Sequence, residues 1–147
     1  MRIILDSNIV IAALMRDSHI RHLIFSSEQS LCFPQFMVDE IHSHKGLILE
    51  KSGMDESSYQ QLLVKLLGKL SLIPTDLIKK HLGQATEIMK LIDVKDAPFI
   101  AAALSYPDAV IWSDDKDFEK QSVIKVYSTM RITPLFDQDH LDDHGRL

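Results

Sequence analysis

Three short apolar runs, Arg2 to Leu5, Leu31 to Phe33 and Ala109 to Trp112, each give way at once to turn-forming residues, and stretches of helical periodicity separate them. The first ends at Asp6-Ser7-Asn8, the second at Pro34 and the third at Ser113-Asp114-Asp115-Lys116-Asp117. Briefer strands are expected at Leu72 and Ile73, stopped by Pro74, and at Lys125 to Tyr127. Short strands that alternate with helices predict an α/β fold. The expected architecture is a three-layer sandwich, in which a central, mostly parallel twisted sheet of four to five strands is flanked by helices.

The intervening segments read as helices over Ile9 to Met15, Ile20 to Ser27 and Gln35 to Leu49. The clearest amphipathic helix is Asp55 to Leu70, where Tyr59, Leu62, Leu63, Leu66, Leu67 and Leu70 repeat at the spacing of one face. That face suits a core or a dimer surface equally. Leu77, Ile78, Leu82, Ala85, Ile88 and Met89 mark another helix. Asp96 to Leu104 carries Pro98 in its first turn, where a missing N–H costs little. No repeat, linker or low-complexity block interrupts the pattern, so residues 1–137 are expected to form one domain. Residues 138–147, rich in Asp and His, are expected to be a mobile tail.

A chain of 147 residues with 46% hydrophobic content can bury a substantial core. The single cysteine, Cys32, has no partner for an internal disulfide, and no leader-like segment opens the sequence. A cytoplasmic setting is therefore expected. No stretch reaches the roughly 20 apolar residues that span a bilayer, because Lys65, Gly68 and Lys69 break the richest leucine segment. The net charge of −5 argues against binding nucleic acid by phosphate neutralisation alone. A pocket of carboxylates that recruits divalent cations escapes that objection, since the cations themselves contact phosphate oxygens.

Ligands bind beyond the carboxyl ends of parallel strands, and Asp6 and Asp115 follow strands directly. Asp96 starts a helix whose amino end is expected at the same rim. At about 100° per residue, Met37, Val38, Ile41 and Ile48 share a helix face that Glu40 flanks, while Asp39 points the other way. Taken singly, Asp6, Asp96 and Asp115 or Asp117 also read as helix caps, and Glu40 as a surface residue. Taken together, anions gathered at one rim repel one another and require cations. Oxygen-only ligands favour magnesium or manganese, and nothing supplies a zinc set. His42 and His44, two apart, do not share a helix face, and His140 and His144 are expected in a solvated tail.

Four segments together resemble the acidic motifs of PIN domains. They are Leu5-Asp6-Ser7-Asn8 after the first strand, Val38-Asp39-Glu40-Ile41 in a helix, Lys95-Asp96-Ala97-Pro98-Phe99 opening a helix, and Ser113-Asp114-Asp115-Lys116-Asp117-Phe118 after a strand. Their order and spacing match, and the likeness extends from Met1 to about Asp137. The resemblance implies a PIN-like fold and a metal-binding cluster of Asp6, Glu40, Asp96 and Asp115, with Asp117 a possible fifth member. Ser7 and Asn8 match small polar positions beside the first acid. Ser113 stands where the family often has threonine, so its hydroxyl is placed to hydrogen-bond the first aspartate. Asp114 departs from the small or neutral residue common there and competes with Asp115 for the inward position; Asp115 is the expected one.

The implied activity is hydrolysis of RNA phosphodiester bonds by a divalent-metal-dependent endoribonuclease, with Mg2+ or Mn2+ as cofactor. Asp6, Asp96 and Asp115 would hold the metal, and Glu40 would complete a second site or orient the attacking water. Many relatives are VapC-like toxins paired with an antitoxin, and homodimers are common, so RNA, an antitoxin and a second copy are the partners this resemblance implies. Arg16, Arg21, His22, Lys45, Lys95 and Lys116 are candidates for a basic rim. Two other readings compete: a non-catalytic PIN-fold module that binds RNA or protein, and a phosphatase with Asp6 as nucleophile. The second is disfavoured because Asn8 stands where a haloacid-dehalogenase-like enzyme has its next carboxylate.

Overall fold

A computed structural model of the chain describes residues 1–16 and 18–137. The first run forms β1 (Arg2–Leu5), followed by α1 (Ser7–Met15) and α2 (Ser18–Ser26). Strand β2 (Ser30–Pro34) leads through a 3-10 turn at Gln35–Met37 into α3 (Val38–Ser43), α4 (Lys45–Ser52) and α5 (Glu56–Lys69). Then come β3 (Ser71–Ile73), α6 (Thr75–Met89), a 3-10 turn at Val94–Asp96, and α7 (Ala97–Leu104). Strand β4 (Ala109–Trp112), a 3-10 turn at Lys116–Lys120, β5 (Val126–Tyr127) and α8 (Thr129–Asp137) complete the order. The tail expected at 138–147, with His140 and His144, lies outside the described residues.

The five strands make one sheet in the order β3-β2-β1-β4-β5, and every neighbouring pair is parallel. The sheet is thus wholly parallel where the sequence predicts mostly parallel. A strand covered on both faces needs an unbroken apolar run rather than an alternating one, and Ile3, Ile4 and Leu5 are each 0% exposed. Helix α7 packs on β1, β2 and β4, with α6 lying against it, and α1 packs against α2, α3, α4 and α5. Consecutive buried residues in α7, Phe99 to Ala103, mark a helix that is apolar all round and so enclosed by the core. Its four alanines, all buried, let neighbouring elements approach closely.

Sequence and structure differ in two places. Gln35 to Leu49 reads as one helix, but the chain breaks at His44. The Ser43 hydroxyl donates to the Glu40 carbonyl at 2.6 Å and His44 Nδ1 contacts the same oxygen at 2.8 Å, while the His44 N–H bonds Ile41 O instead. Side chains thereby take the acceptor that would have continued the helix. The second difference is α8, unexpected because Pro134 stands inside it. It is anchored by Ile132 and Phe136, both buried, and the Phe136 ring meets Trp112 edge-on at 5.4 Å.

The leucine-rich helix α5 turns Tyr59, Leu63 and Leu66 into the protein's own core. Tyr59 is 1% exposed, and its hydroxyl has no hydrogen-bond partner among the described residues. A buried unpaired hydroxyl costs stability, so Tyr59→Phe should leave the unfolding free energy unchanged or raise it by up to about 1 kcal/mol. Denaturant unfolding measures this, and a clear loss of stability would show that the hydroxyl is bonded.

Candidate active site

The strand order reverses direction between β1 and β4, and the carboxyl ends of these two strands open a crevice at that point. Asp6 leaves β1 there, its backbone N–H bonded to Trp112 O at 3.1 Å. Ser113 leaves β4 beside it, and the Ser113 hydroxyl donates to Asp6 Oδ2 at 2.8 Å while accepting the Asp115 N–H at 3.0 Å. One serine therefore orients the first acid and shapes the turn that carries the last. On the other side, Ser7 Oγ donates to Glu40 Oε2 at 3.0 Å, across from α1 to α3. Asp39 is exposed and Glu40 half-buried, the orientation expected from helix angle despite the break at His44.

Asp6 is 4% exposed, and burial holds its carboxyl above the usual carboxylate range, with the charges of Asp115 and Glu40 adding to the effect and the Ser113 hydrogen bond opposing it. Asp96 is affected more strongly. Its pKa is pushed up to about 7, first by burial and then by Asp6, Asp93, Asp115 and Asp117. One of its oxygens, Oδ2, is buried without a hydrogen-bond partner among the described residues. Neither Asp6 nor Asp96 closes a side-chain cap on the helix it precedes, whereas Asp115 does cap the following 3-10 turn, accepting the Asp117 N–H at 2.9 Å. The cap reading thus describes only Asp115.

Among the described residues, Asp93, Asp96 and Asp117 bring one carboxylate oxygen each to within 4.8 Å of the other two. Asp93 is not among the acids singled out from sequence. Its signal is the spacing Asp93-x-x-Asp96, which a turn of three residues brings onto one side. Lys120 sits against this group, its ammonium 2.8 Å from Asp117 Oδ1. The structure also separates the neighbours Asp114 and Asp115. Asp114 turns toward α8, where its two oxygens accept the Thr129 N–H and hydroxyl, each at 2.7 Å, while the charge of Asp115 acts on Asp6 and Asp96. The Trp112 indole N–H in turn donates to Thr129 Oγ1 at 2.9 Å. Losing this anchor, Asp114→Ala should cost about 1 kcal/mol of stability, the ordinary value of a helix-terminal acceptor. It should leave any Mn2+-induced rise in melting temperature intact, and loss of that rise would place Asp114 in the site.

Of the cations considered for a rim, Arg21 donates from Nε to Ala13 O at 2.8 Å and Lys45 pairs with Glu56 at 2.8 Å. Arg16, His22, Lys95 and Lys116 are exposed, and Asn8 stands exposed at the crevice mouth. No helix among the described residues is long and apolar enough to cross a membrane.

A parallel sheet flanked by helices is the fold the PIN motifs imply. The PIN domain family matches residues 4–134, and the chain belongs to that family. Among solved structures, it is similar to a chain of VapBC2 from Rickettsia felis, crystallised bound to a DNA fragment from the promoter of its own genes. The TM-score is 0.65 at 16% identity, over 87% of this chain and 98% of that one, a likeness of fold. No curated protein matches the sequence.

Proposed function

We propose that this PIN-domain protein is a divalent-metal-dependent endoribonuclease. The observation that supports this best is Asp96, a carboxylate with one buried, unbonded oxygen set among the charges of Asp6, Asp93, Asp115 and Asp117. An oxygen-only donor set with excess negative charge and an orphan acceptor fits a hard cation, Mg2+ or Mn2+. Asp96 would be the central ligand, joined by Asp93 and Asp117, whose oxygens approach its own, and by Asp6 and Asp115, whose charges it feels. When bound, such a cation polarises the phosphoryl oxygen and lowers the pKa of an attacking water.

The protein's own groups hold that chemistry in place. Ser113 fixes Asp6, and Ser7 fixes Glu40 through Oε2. Glu40, whose charge reaches Asp6, would complete a second cation site or orient the attacking water. Preset carboxylates spare reorganisation during the reaction, which is how such sites lower barriers.

We assign the chain the role of toxin in a toxin–antitoxin pair, acting in the cytoplasm as a homodimer on RNA and restrained by an antitoxin. The support is family membership together with the fold shared with a VapBC2 chain. Purified protein should cut structured RNA in Mn2+ and stop when the metal is chelated. A protein that Mn2+ stabilises against heat but that cuts no RNA would instead be a binding module. Growth arrest on expression, relieved by a small neighbouring open reading frame, tests the toxin assignment separately.

A further inference from the structure

Beside the acids lies a cavity of about 340 Å³, lined by Asn8, Ile9, Ala12, Ile20, Asp114 and Asp115. That volume falls within the range of small-ligand clefts, about 300–1,000 Å³. Its two surfaces differ in chemistry. Ile9 and Ile20 are 2% and 4% exposed and with Ala12 form an apolar floor between α1 and α2. The rim consists of the Asn8 amide and two carboxylates, of which Asp114 already accepts from Thr129 with both oxygens and Asp115 is the one left to face a ligand. Asp115 Oδ1 accepts from the Asp117 N–H, but its second oxygen and the Asn8 side chain are unpartnered among the described residues.

A flat group with apolar faces and a donor-bearing edge would satisfy both surfaces at once. We propose that this cavity receives the nucleobase adjoining the scissile phosphate and selects bases with an exocyclic amine over uracil. The inference rests on the ribonuclease reading. Asp115 belongs to the acid cluster and to the cavity wall together, so a phosphate held at the acids carries its base, one ribose away, to the cavity mouth. Carboxylates accept from the amine of cytosine, and an Asn amide pairs with the edge of adenine. Uracil presents two carbonyls and one N–H to a rim made chiefly of acceptors, and at least one carbonyl would be left facing a carboxylate. A site built to bond a group rejects the analogue that lacks it, because its own polar atoms are then stranded.

Two measurements test this. First, a random-sequence RNA pool cut in Mn2+ should show one position beside the cut where amine-bearing bases exceed uracil by at least about tenfold. Ala12→Phe, which fills the cavity, should flatten that preference and raise KM about tenfold with a smaller change in kcat, while keeping the wild-type Mn2+-induced rise in melting temperature. A folded, metal-binding Ala12→Phe protein with unchanged KM and base preference would overturn the proposal and leave the ribonuclease reading standing. Second, methyl resonances of Ile9, Ala12 and Ile20 in the wild type should shift saturably with adenosine or cytidine 5′-monophosphate, and at least about tenfold less tightly with the uridine compound. This titration needs neither cleavage nor a variant. Shifts in a protein that cuts nothing would uphold the cavity as a nucleotide site while removing the nuclease, and methyls unmoved by all three nucleotides would refute it.

Discussion

Asp6→Asn should lower RNA cleavage by more than about a hundredfold while the protein stays folded. The size follows from what the side chain does: a proposed metal ligand contributes several kcal/mol of charge stabilisation, and each 1.4 kcal/mol or so is a factor of ten in rate. Folding should survive because Asn keeps the shape and can still accept the Ser113 hydroxyl, which donates to Asp6 Oδ2 at 2.8 Å. Removing a buried charge that Asp115 and Glu40 repel should not lower the stability of the metal-free protein at neutral pH. Cleavage rates under single-turnover conditions, with melting curves beside them, separate the two effects. Activity that persists at the wild-type rate would exclude Asp6 from the chemistry.

Asp96→Asn should act in opposite directions on the metal-free and metal-loaded protein. With a folded-state pKa of about 7 against an ordinary value of 3.8, Asp96 keeps its proton in the fold to higher pH than in the unfolded chain. Its contribution favours folding least when the carboxyl is forced to ionise, so stability falls as pH rises from about 4 through about 7. Asp6, shifted the same way, adds to the trend. Chelator-treated wild type should therefore gain stability on acidification from pH 8 to pH 5.5. Asp96→Asn should flatten that dependence and melt several degrees higher than wild type at pH 8. In Mn2+ the ranking should reverse, because the variant cannot collect the stabilisation that binding gives the wild type. Thermal melts at two pH values, with and without Mn2+, read all four states. A variant that is less stable than wild type when metal-free at pH 8, or that still responds to Mn2+, would contradict the role proposed for Asp96.

Much of this architecture was legible in the residues because parallel strands buried on both faces advertise themselves as unbroken apolar runs. Arg2 to Leu5 and Ala109 to Trp112 appear in the structure with those bounds as β1 and β4. Residues immediately after them had to lie at the sheet's carboxyl rim, so Asp6 and Asp115 were visible early. What stayed hidden depended on contacts between distant segments or on competition for single hydrogen bonds. The break at His44 turns on which group takes the Glu40 carbonyl, a choice that periodicity does not register. Helix α8 offers little local propensity around Pro134 and is held by Trp112 and Asp114 from another part of the chain. The division between Asp114 and Asp115 follows from that same helix, since Thr129 claims one and leaves the other to the acids. The closeness of Asp93 to Asp117 exists only after folding and leaves no mark in the order of residues.

The placement of β1 beside β4 has a consequence for the order in which the molecule comes into being. The serine that orients Asp6 is synthesised 107 positions after it. A nascent chain that ends before Ser113 carries Asp6, Glu40 and Asp96 but neither the hydroxyl nor the last two carboxylates. The constellation therefore cannot close until residues more than a hundred positions after Asp6 have emerged, and the ribonuclease activity proposed for it would wait on them.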